Sequence, residues 1–226
     1  YLAVPVVDDD NRLVGIVTVD DVIDILHEAA TEDMLKMAGV GEEYIETQTI
    51  FRGMRIRLPW LFASFLGGVA AFFVIGRFQA DIAKLTILAA FIPVISGMGG
   101  NIGTQSSTIV VRGLATGRIH LQDFFNVVLK ELTVGLSLGV IYGVFIGIIA
   151  KMLYSSELFS MPLALSVGCA IFTSMSIAAL MGSAVPLILH RLNIDPAVAT
   201  GPFVTTSIDI VSAFCYFSIA GFFLGL

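Results

Sequence analysis

Five long apolar runs constrain this chain more than any other feature of its sequence. A helix needs about 20 residues to cross the ~30 Å hydrocarbon core of a bilayer, and every run is at least that long. The runs cover residues 58–78, 84–111, 130–152, 163–189 and 200–226. With 57% hydrophobic and 13% charged residues, the composition is not that of a soluble domain. We therefore predict an α-helical integral membrane protein with five transmembrane helices per subunit, seated in a lipid bilayer.

Charge divides the chain near residue 50. Residues 1–50 contain twelve acidic and two basic side chains, a net charge of −10, whereas the rest contains six acidic and ten basic, a net charge of +4. Such a break marks a domain boundary. We predict a cytoplasmic part over residues 1–38, a connecting segment over 39–57 and a transmembrane domain over 58–226, with no nucleic-acid partner. The connecting segment is either a linker with a basic interfacial anchor or a coupling helix.

The first part has the order strand, turn, strand, helix. Leu2–Val7 and Leu13–Thr18 are β-branched runs around a polar turn, which predicts a hairpin, and Thr18 or Asp20 can cap a helix that continues to Gly39. The stretch PVVDDDNRLVGIVTVDDVIDIL resembles the second half of a CBS domain. This resemblance implies a partial α/β module that senses ligands and regulates the attached protein.

Basic residues predict the orientation in the membrane, because cytoplasmic loops carry an excess of Lys and Arg. One side would hold Arg52, Arg55, Arg57, Arg112, Arg118, Lys130 and Arg191, and the other would hold Arg77, Lys84 and Lys151. We predict a multi-pass protein of the plasma or inner membrane. Its amino-terminal end would be cytoplasmic and its carboxyl-terminal end extracytoplasmic.

Asp209 is the acidic residue that most needs an explanation. It lies nine residues into the last predicted span, about 14 Å along the helix axis and near the bilayer midplane. A carboxylate at that depth costs about 2.5–3.5 kcal/mol on insertion scales, so it is expected to face a cavity or pathway. A structural acid paired to a neighbouring helix is the weaker alternative, since no basic residue occurs at a similar depth.

Small and polar residues recur at helical spacing around this acid. In the last span they are Gly201, Thr205, Asp209 and Ser212, and in the second span they are Gly97, Gly100 and Thr104. Residues three and four apart share one helix face. Ordinary small-residue packing explains either stripe alone. The two stripes together with a carboxylate favour the lining of a pore.

An all-oxygen site of this kind selects hard cations. One carboxylate per subunit, with hydroxyls and carbonyls, suits Mg²⁺, which gives up its waters reluctantly, better than Ca²⁺, which takes six to eight direct ligands. Mn²⁺ and Co²⁺ stay open on these grounds. Mg²⁺ is thus the expected ion.

Three longer motifs resemble the MgtE family of magnesium channels. They are PVISGMGGNIGTQSSTIVVRGLATG (Pro93–Gly117), LKEL (Leu129–Leu132) and LNIDPAVATGPFVTTSIDI (Leu192–Ile210). The resemblance covers essentially the whole chain. It implies a homodimer with a Mg²⁺-selective pore on the two-fold axis, lined by the second and fifth spans.

The resemblance also implies roles for individual residues. Asp209 matches the acid that holds hydrated Mg²⁺, and Gly97, Gly100 and Thr205 match positions whose backbone carbonyls line that site. The remaining pore-lining candidates are Asn101, Thr104 and Gly201. Thr104 and Gly201 stand where relatives can have asparagine, so the cytoplasmic constriction is expected to differ in width or polarity.

A second group of acids is a candidate for regulatory Mg²⁺. Asp195 matches an acid that in relatives helps to bind regulatory Mg²⁺ against the cytoplasmic domain, and a helix N-cap before Pro196 is a compatible role. Glu42, Glu43 and Glu46 are candidates to share those ions. A solvated acidic face explains the same cluster.

Two acids near the inner surface have a simpler interpretation. Asp123 and Glu131 are expected to pair with Arg118 or Lys130, as surface ion pairs of little energetic value.

Two other classes of membrane protein, a metalloprotease and a coupled exchanger, are alternatives to a channel. An intramembrane metalloprotease needs a His-Glu-x-x-His motif, and the nearest match, starting at His27, lacks the second His. We therefore predict no enzyme. A sodium-coupled divalent-cation exchanger also combines a glycine-broken span with an intramembrane acid, although five spans do not divide into two matched halves. The prediction is a Mg²⁺ channel gated by cytoplasmic Mg²⁺, with the exchanger as its alternative.

Overall fold

A computed structural model describes residues 2–40, 49–155 and 160–225. It begins with an antiparallel hairpin of β1 (Ala3–Val7) and β2 (Leu13–Thr18), in which Ala3 pairs with Thr18. Helix α1 (Val19–Met37) follows directly. The predicted hairpin and helix are confirmed.

Local hydrogen bonds explain why this part folds as it does. In the turn, Asp8 Oδ1 accepts the Arg12 N–H at 2.8 Å, and Asn11 takes a φ of 60°, which asparagine tolerates. At the start of α1, Thr18 and Asp21 form a capping box that satisfies two free N–H groups. The hydrogen bonds from Thr18 hold the pKa of Asp21 below its usual value.

Seven more helices follow. In chain order they are α2 (Ile50–Arg77), α3 (Gln79–Lys84), α4 (Ile87–Ala115), α5 (Phe124–Leu153), α6 (Ser160–Arg191), α7 (Ala197–Thr200) and α8 (Pro202–Leu224). Within the described ranges, five of them (α2, α4, α5, α6 and α8) are long and apolar enough to cross a membrane. The prediction of five spans is therefore confirmed.

The boundary between the connecting segment and the first span differs from the prediction. Helix α2 begins at Ile50, so residues 50–57 are its first two turns and run without a break into the apolar part. The exposed Arg52 and Arg55 therefore lie on the first span's own helix. Residues 41–48 lie outside the described ranges.

Helix α6 is the centre of the transmembrane part. It packs against α4, α5 and α8, whereas α2 lies at the edge and contacts mainly α8. In α2 the described residues include one buried position, Gly53. The largest fully buried side chains lie on the central helices: Leu88, Ile95, Ile171, Met175, Leu187, Ile208, Tyr216 and Phe217.

Glycines allow the central helices to touch along their backbones. A Cβ added at Gly143 of α5 would lie 2.7 Å from the carbonyl oxygen of Gly168 in α6. A Cβ added at Gly182 of α6 would collide with the backbone of Gly103 in α4. Interfaces of this kind bring membrane helices together without a hydrophobic driving force between them.

A second contact fixes α8 against the beginning of α4. Tyr216 OH donates a 2.9 Å hydrogen bond to the Leu88 carbonyl, and the ring of Phe217 stacks on Phe78 with centroids 5.2 Å apart. The carboxyl-terminal half of α8 is therefore anchored to α4 by a polar contact and to Phe78, the residue that follows α2, by an aromatic contact.

Candidate functional site

Asp209 lies on α8, at the edge of the contact between α8 and α4. Its side chain is partly buried, and among the described residues it has no hydrogen-bond or ion-pair partner. The predicted distance of about 14 Å assumes a span that begins at residue 200. Helix α8 begins at Pro202, which shortens that distance to about 10 Å. The carboxylate is thus about a third of the way along the helix.

The residue before Asp209 explains its position. Ile208 is fully buried and packs against two glycines of α4: a Cβ at Gly99 would lie 3.1 Å from Ile208 Cγ2, and a Cβ at Gly103 would collide with Ile208 Cδ1. Ile208 therefore sits in the space that these glycines leave free. Since successive helical residues are about 100° apart, Asp209 emerges beside that contact.

The open face of α4 carries the predicted pore-lining residues of that helix. Gly97 and Asn101 are exposed, and Gly100 and Thr104 are partly exposed. No atom outside the helix lies within 4 Å of a Cβ added at Gly97 or Gly100. The Thr104 hydroxyl donates a 2.9 Å hydrogen bond to the Gly100 carbonyl. This face therefore offers an amide, a hydroxyl and backbone carbonyls, beside open space.

The first turn of α8 carries the remaining pore-lining candidates. The Thr205 hydroxyl lies 3.2 Å from the carbonyl oxygens of both Gly201 and Pro202, within its own helix. Gly201 packs against the end of α1, since a Cβ there would lie 2.5 Å from the Met37 carbonyl oxygen. The start of α8 is therefore in backbone contact with the amino-terminal part.

Ser212 does not share the open face with Asp209, contrary to the predicted stripe. It is buried, and its hydroxyl lies 2.7 Å from that of Ser174 in α6, which also donates to the Ile95 carbonyl of α4 at 3.3 Å. This network joins the three central helices. Ser212 thus helps to hold the helices on which the site is built.

Asp195 lies in the link between α6 and α8, next to α1. Its Oδ2 accepts a 2.7 Å hydrogen bond from Lys36 Nζ, and its Oδ1 accepts the Ala197 N–H at 2.9 Å. The second bond matches the predicted role at the start of a helix, here α7. Lys36 also pairs with Glu32 at 2.7 Å.

Burial, hydrogen bonds and nearby charges shift the pKa values of Asp195, Lys36 and Asp33. Partial burial alone would raise the pKa of Asp195, but the hydrogen bonds from Lys36 and Ala197 hold it below the usual value. Hydrogen bonds to Asp195 and Glu32 raise the pKa of Lys36. Partial burial, and then the charge of Asp195, raise the pKa of Asp33. Lys36 and Arg112, whose charge also acts on Asp33, are therefore the cations at a contact that contains the three carboxylates of Glu32, Asp33 and Asp195.

Of the predicted regulatory metal cluster, Asp195 lies within the described residues. Glu42, Glu43 and Glu46 lie outside the described residues. Within residues 2–40, 49–155 and 160–225, no group of three or more His, Cys, Asp or Glu side chains is placed to hold a metal ion. Asp195 is instead bound by Lys36.

The expected surface pairing of Asp123 and Glu131 is wrong. Asp123 Oδ2 accepts the His120 N–H at 3.4 Å, in the turn before α5. Glu131 is only 6% exposed, and its Oε2 accepts a 2.8 Å hydrogen bond from the Ser106 hydroxyl of α4. It is therefore an interior residue, because α5 turns this side towards α4 and α6.

The candidate residues from Gly97 to Asp209 lie within a single match to a known family. The model of the MgtE family, described as divalent cation transporters, matches residues 92–219, more than half of the chain. The chain belongs to the MgtE family. A CBS-domain model matches residues 1–28, which agrees with the hairpin and the start of α1. The family is one of membrane transporters rather than catalytic enzymes.

Relatives in the MgtE family match nearly the whole chain. The magnesium transporter MgtE of Bacillus subtilis is 36% identical over 224 residues, which are 99% of this chain and 49% of that protein. Its counterpart in Enterococcus faecalis is 37% identical over 224 residues, 99% of this chain and 48% of that protein. The one from Thermus thermophilus is 36% identical over 223 residues, 97% and 48% respectively. The chain thus spans about half the length of these curated relatives.

Proposed function

We propose that this chain forms the pore of a Mg²⁺-selective channel that mediates magnesium uptake down the electrochemical gradient. Asp209 carries the proposal. A carboxylate inside a transmembrane helix, without a partner among the described residues, needs compensation from water or a cation. The MgtE family match and the three relatives, which are magnesium transporters, support Mg²⁺ as that cation.

The chemistry of the surrounding groups suits an ion that keeps its water shell. Asp209 supplies a charge, while Gly97, Gly100 and Thr205 supply backbone carbonyls that can accept hydrogen bonds from coordinated water. Mg²⁺ usually keeps several waters and takes one or two carboxylates. We infer that Asp209 holds hydrated Mg²⁺, with Asn101 and Thr104 further along the same passage.

A homodimer would complete this passage. Asn101, Gln105 and Thr108 form an exposed polar stripe along α4. Lipid cannot satisfy such groups, so the stripe must face water or protein. A second copy related by a two-fold axis would cover it and place two Asp209 carboxylates around one pathway.

The amino-terminal part would regulate the passage from the cytoplasmic side. The end of α1 touches Gly201, at the beginning of the helix that carries Asp209. The contact contains Glu32, Asp33 and Asp195 around Lys36, so added Mg²⁺ would reduce its excess negative charge. We infer that cytoplasmic Mg²⁺ strengthens this contact and closes the pore, with Glu42, Glu43 and Glu46 as further candidate ligands.

Flux measurements in liposomes test the channel. Replacing Asp209 by Asn should lower Mg²⁺ uptake by at least about tenfold, since losing a charged contact costs about 2–5 kcal/mol. Ser218→Ala is the matched control, because Ser218 is an exposed α8 residue whose hydroxyl bonds its own helix, at Phe214. The dimer should stay folded in both variants.

Two results would contradict this function. Full transport by Asp209→Asn would remove the proposed site. Strict dependence of wild-type flux on a sodium gradient would move the assignment to a sodium-coupled exchanger.

A further inference from the structure

Glu131 is a buried acid that the proposed pathway does not use. It is 6% exposed and lies in the second turn of α5. The other buried residues of α5 are Gly135, Gly139, Gly143 and Ala150, so Glu131 is the one large side chain on this buried face among the described residues. It stands one turn before a glycine stripe that packs against α6.

Its hydrogen bond joins two helices that otherwise have few direct contacts. Glu131 Oε2 accepts from Ser106 Oγ at 2.8 Å, whereas α4 and α5 pack mainly against α6 rather than against each other. Within the described ranges, Glu131 has no ion-pair partner. A buried carboxyl group is costly unless it is hydrogen-bonded, so this bond is a strong constraint on where Ser106 can lie.

Ser106 lies on the side of α4 that faces away from the open stripe. It follows Thr104 by two residues, which is a rotation of about 200° around the helix. A hydrogen bond that fixes Ser106 on one face of α4 also fixes the direction of the opposite face. The orientation of Gly97, Gly100, Asn101 and Thr104 towards the passage therefore depends on a contact behind them.

We propose that Glu131 is a positioning residue for ion passage, which acts through Ser106 by setting the rotation of α4. This proposal rests on the proposed pore. It assigns Glu131 no contact with Mg²⁺. Its role is to supply a hydrogen-bond acceptor on the α5 side of α4, in addition to the close glycine contacts that α4 makes with α6 and α8.

Four single variants test this role in the complete dimer. Ser106→Ala removes the donor, Glu131→Leu removes the acceptor, and Glu131→Gln keeps an acceptor oxygen. Ser183→Ala is the matched control, because Ser183 is fully buried in α6 but its hydroxyl bonds only carbonyls of its own helix. The measurements are the half-saturating Mg²⁺ concentration, the maximal flux and the melting temperature.

The expected result separates positioning from stability. Ser106→Ala and Glu131→Leu should change the half-saturating Mg²⁺ concentration by about three- to tenfold, the range of one hydrogen bond. Glu131→Gln and Ser183→Ala should stay near the wild type. In a chain with Thr104→Cys and without its two native cysteines, Ser106→Ala should also change the rate at which a charged thiol reagent modifies the new cysteine.

Each other outcome overturns the proposal. If Ser106→Ala leaves both the half-saturation and the thiol reaction unchanged, Glu131 does not set the rotation of α4. If Glu131→Gln behaves like Glu131→Leu, the charge rather than the hydrogen bond matters. Should Glu131→Leu fail to fold, Ser106→Ala still decides, since it removes only one hydroxyl. If Asp209→Asn lowers Mg²⁺ flux but Ser106→Ala has no effect on transport, this inference is disproved while the proposed pore stands.

Discussion

The two sides of α4 use the same residue type for opposite purposes. On the inner side, Gly99 and Gly103 leave just enough space for Ile208 of α8, and Gly182 of α6 touches the Gly103 backbone. On the outer side, a Cβ at Gly97 or Gly100 would meet no atom outside the helix. A glycine that is filled by a neighbour serves packing, whereas a glycine beside open space leaves backbone available to a ligand.

Two aspartates of the transmembrane part, Asp195 and Asp209, show the same contrast. Asp195 has Lys36 and the Ala197 N–H as partners, while Asp209 has neither a hydrogen bond nor an ion pair among the described residues. The acid with partners joins two parts of the chain. The acid without them is the one that a passing cation can use.

The largest effect is expected on the inner side. Gly182→Ala would place a methyl group against the backbone of Gly103, which cannot move as a side chain can. Overpacking in a close-packed core costs about 1–3 kcal/mol or more. We expect a lower melting temperature and less folded protein, measured by fluorescence-detected size exclusion. A melting temperature equal to that of the wild type would show that this side is not tightly packed.

A smaller change of stability, with a loss of function, is expected on the outer side. Gly97→Ala adds the same methyl group in open space, and alanine favours a helix over glycine by up to about 1 kcal/mol. The variant should melt at or above the wild-type temperature. Its Mg²⁺ flux should fall severalfold, because the methyl group projects into the proposed passage. Unchanged flux would remove Gly97 from the lining.

The smallest effect is expected at the partly exposed pair of Lys36 and Asp195. Such pairs contribute about 0.2–1 kcal/mol. In Lys36→Gln, repulsion between the remaining carboxylates should loosen α1 from α7. Mg²⁺ flux at low internal Mg²⁺ should therefore rise by up to about fivefold. High internal Mg²⁺ should still close the pore. Glu32→Gln, which keeps the bond to Asp195, is the control. A Lys36→Gln channel with wild-type flux at every Mg²⁺ concentration would argue against coupling through this pair.

The pH dependence of the Lys36–Asp195 pair follows from the pKa shifts of its two members. The pKa of Asp195 is lowered, so its contribution is present above its unfolded value near 3.9 and is lost as the pH falls through the folded value. The pKa of Lys36 is raised, so its contribution is present below about 10.4 and is lost only at higher pH. The effect of Lys36→Gln should therefore be constant between about pH 5 and pH 9.

Hydropathy and local signals were enough to predict the fold. Run length predicted five spans, and of the two predicted caps for α1, Thr18 and Asp20, Thr18 is the one that forms. Helical spacing placed Gly97, Gly100 and Thr104 on one face. Helical spacing does not say how wide the exposed part of a helix face is. Ser212 is three residues from Asp209, a rotation of about 60° around the helix, and this rotation is enough to bury Ser212 in the interior.

Contacts between distant parts of the chain could not be predicted in this way. Glu131 follows a lysine near the end of a span, which is a typical setting for a surface pair, and only the packing of α5 beside α4 buries it. The bond between Lys36 and Asp195 joins residues 159 positions apart. Neither depends on a local pattern, so neither leaves a signal in composition or periodicity.

Gly39 gives the amino-terminal part a second contact with the transmembrane helices. Gly39 has a positive φ of 72° and lies just after the end of α1. A Cβ added at Gly39 would lie 3.4 Å from both Pro202 and Trp60. The end of α1 is therefore wedged between the first turn of α8 and the side of α2. A movement of the hairpin and α1 can thus be transmitted to α8, the helix of Asp209, through this packing contact rather than along the intervening chain. The closeness of this wedge would determine how soon α8 responds to a movement of α1.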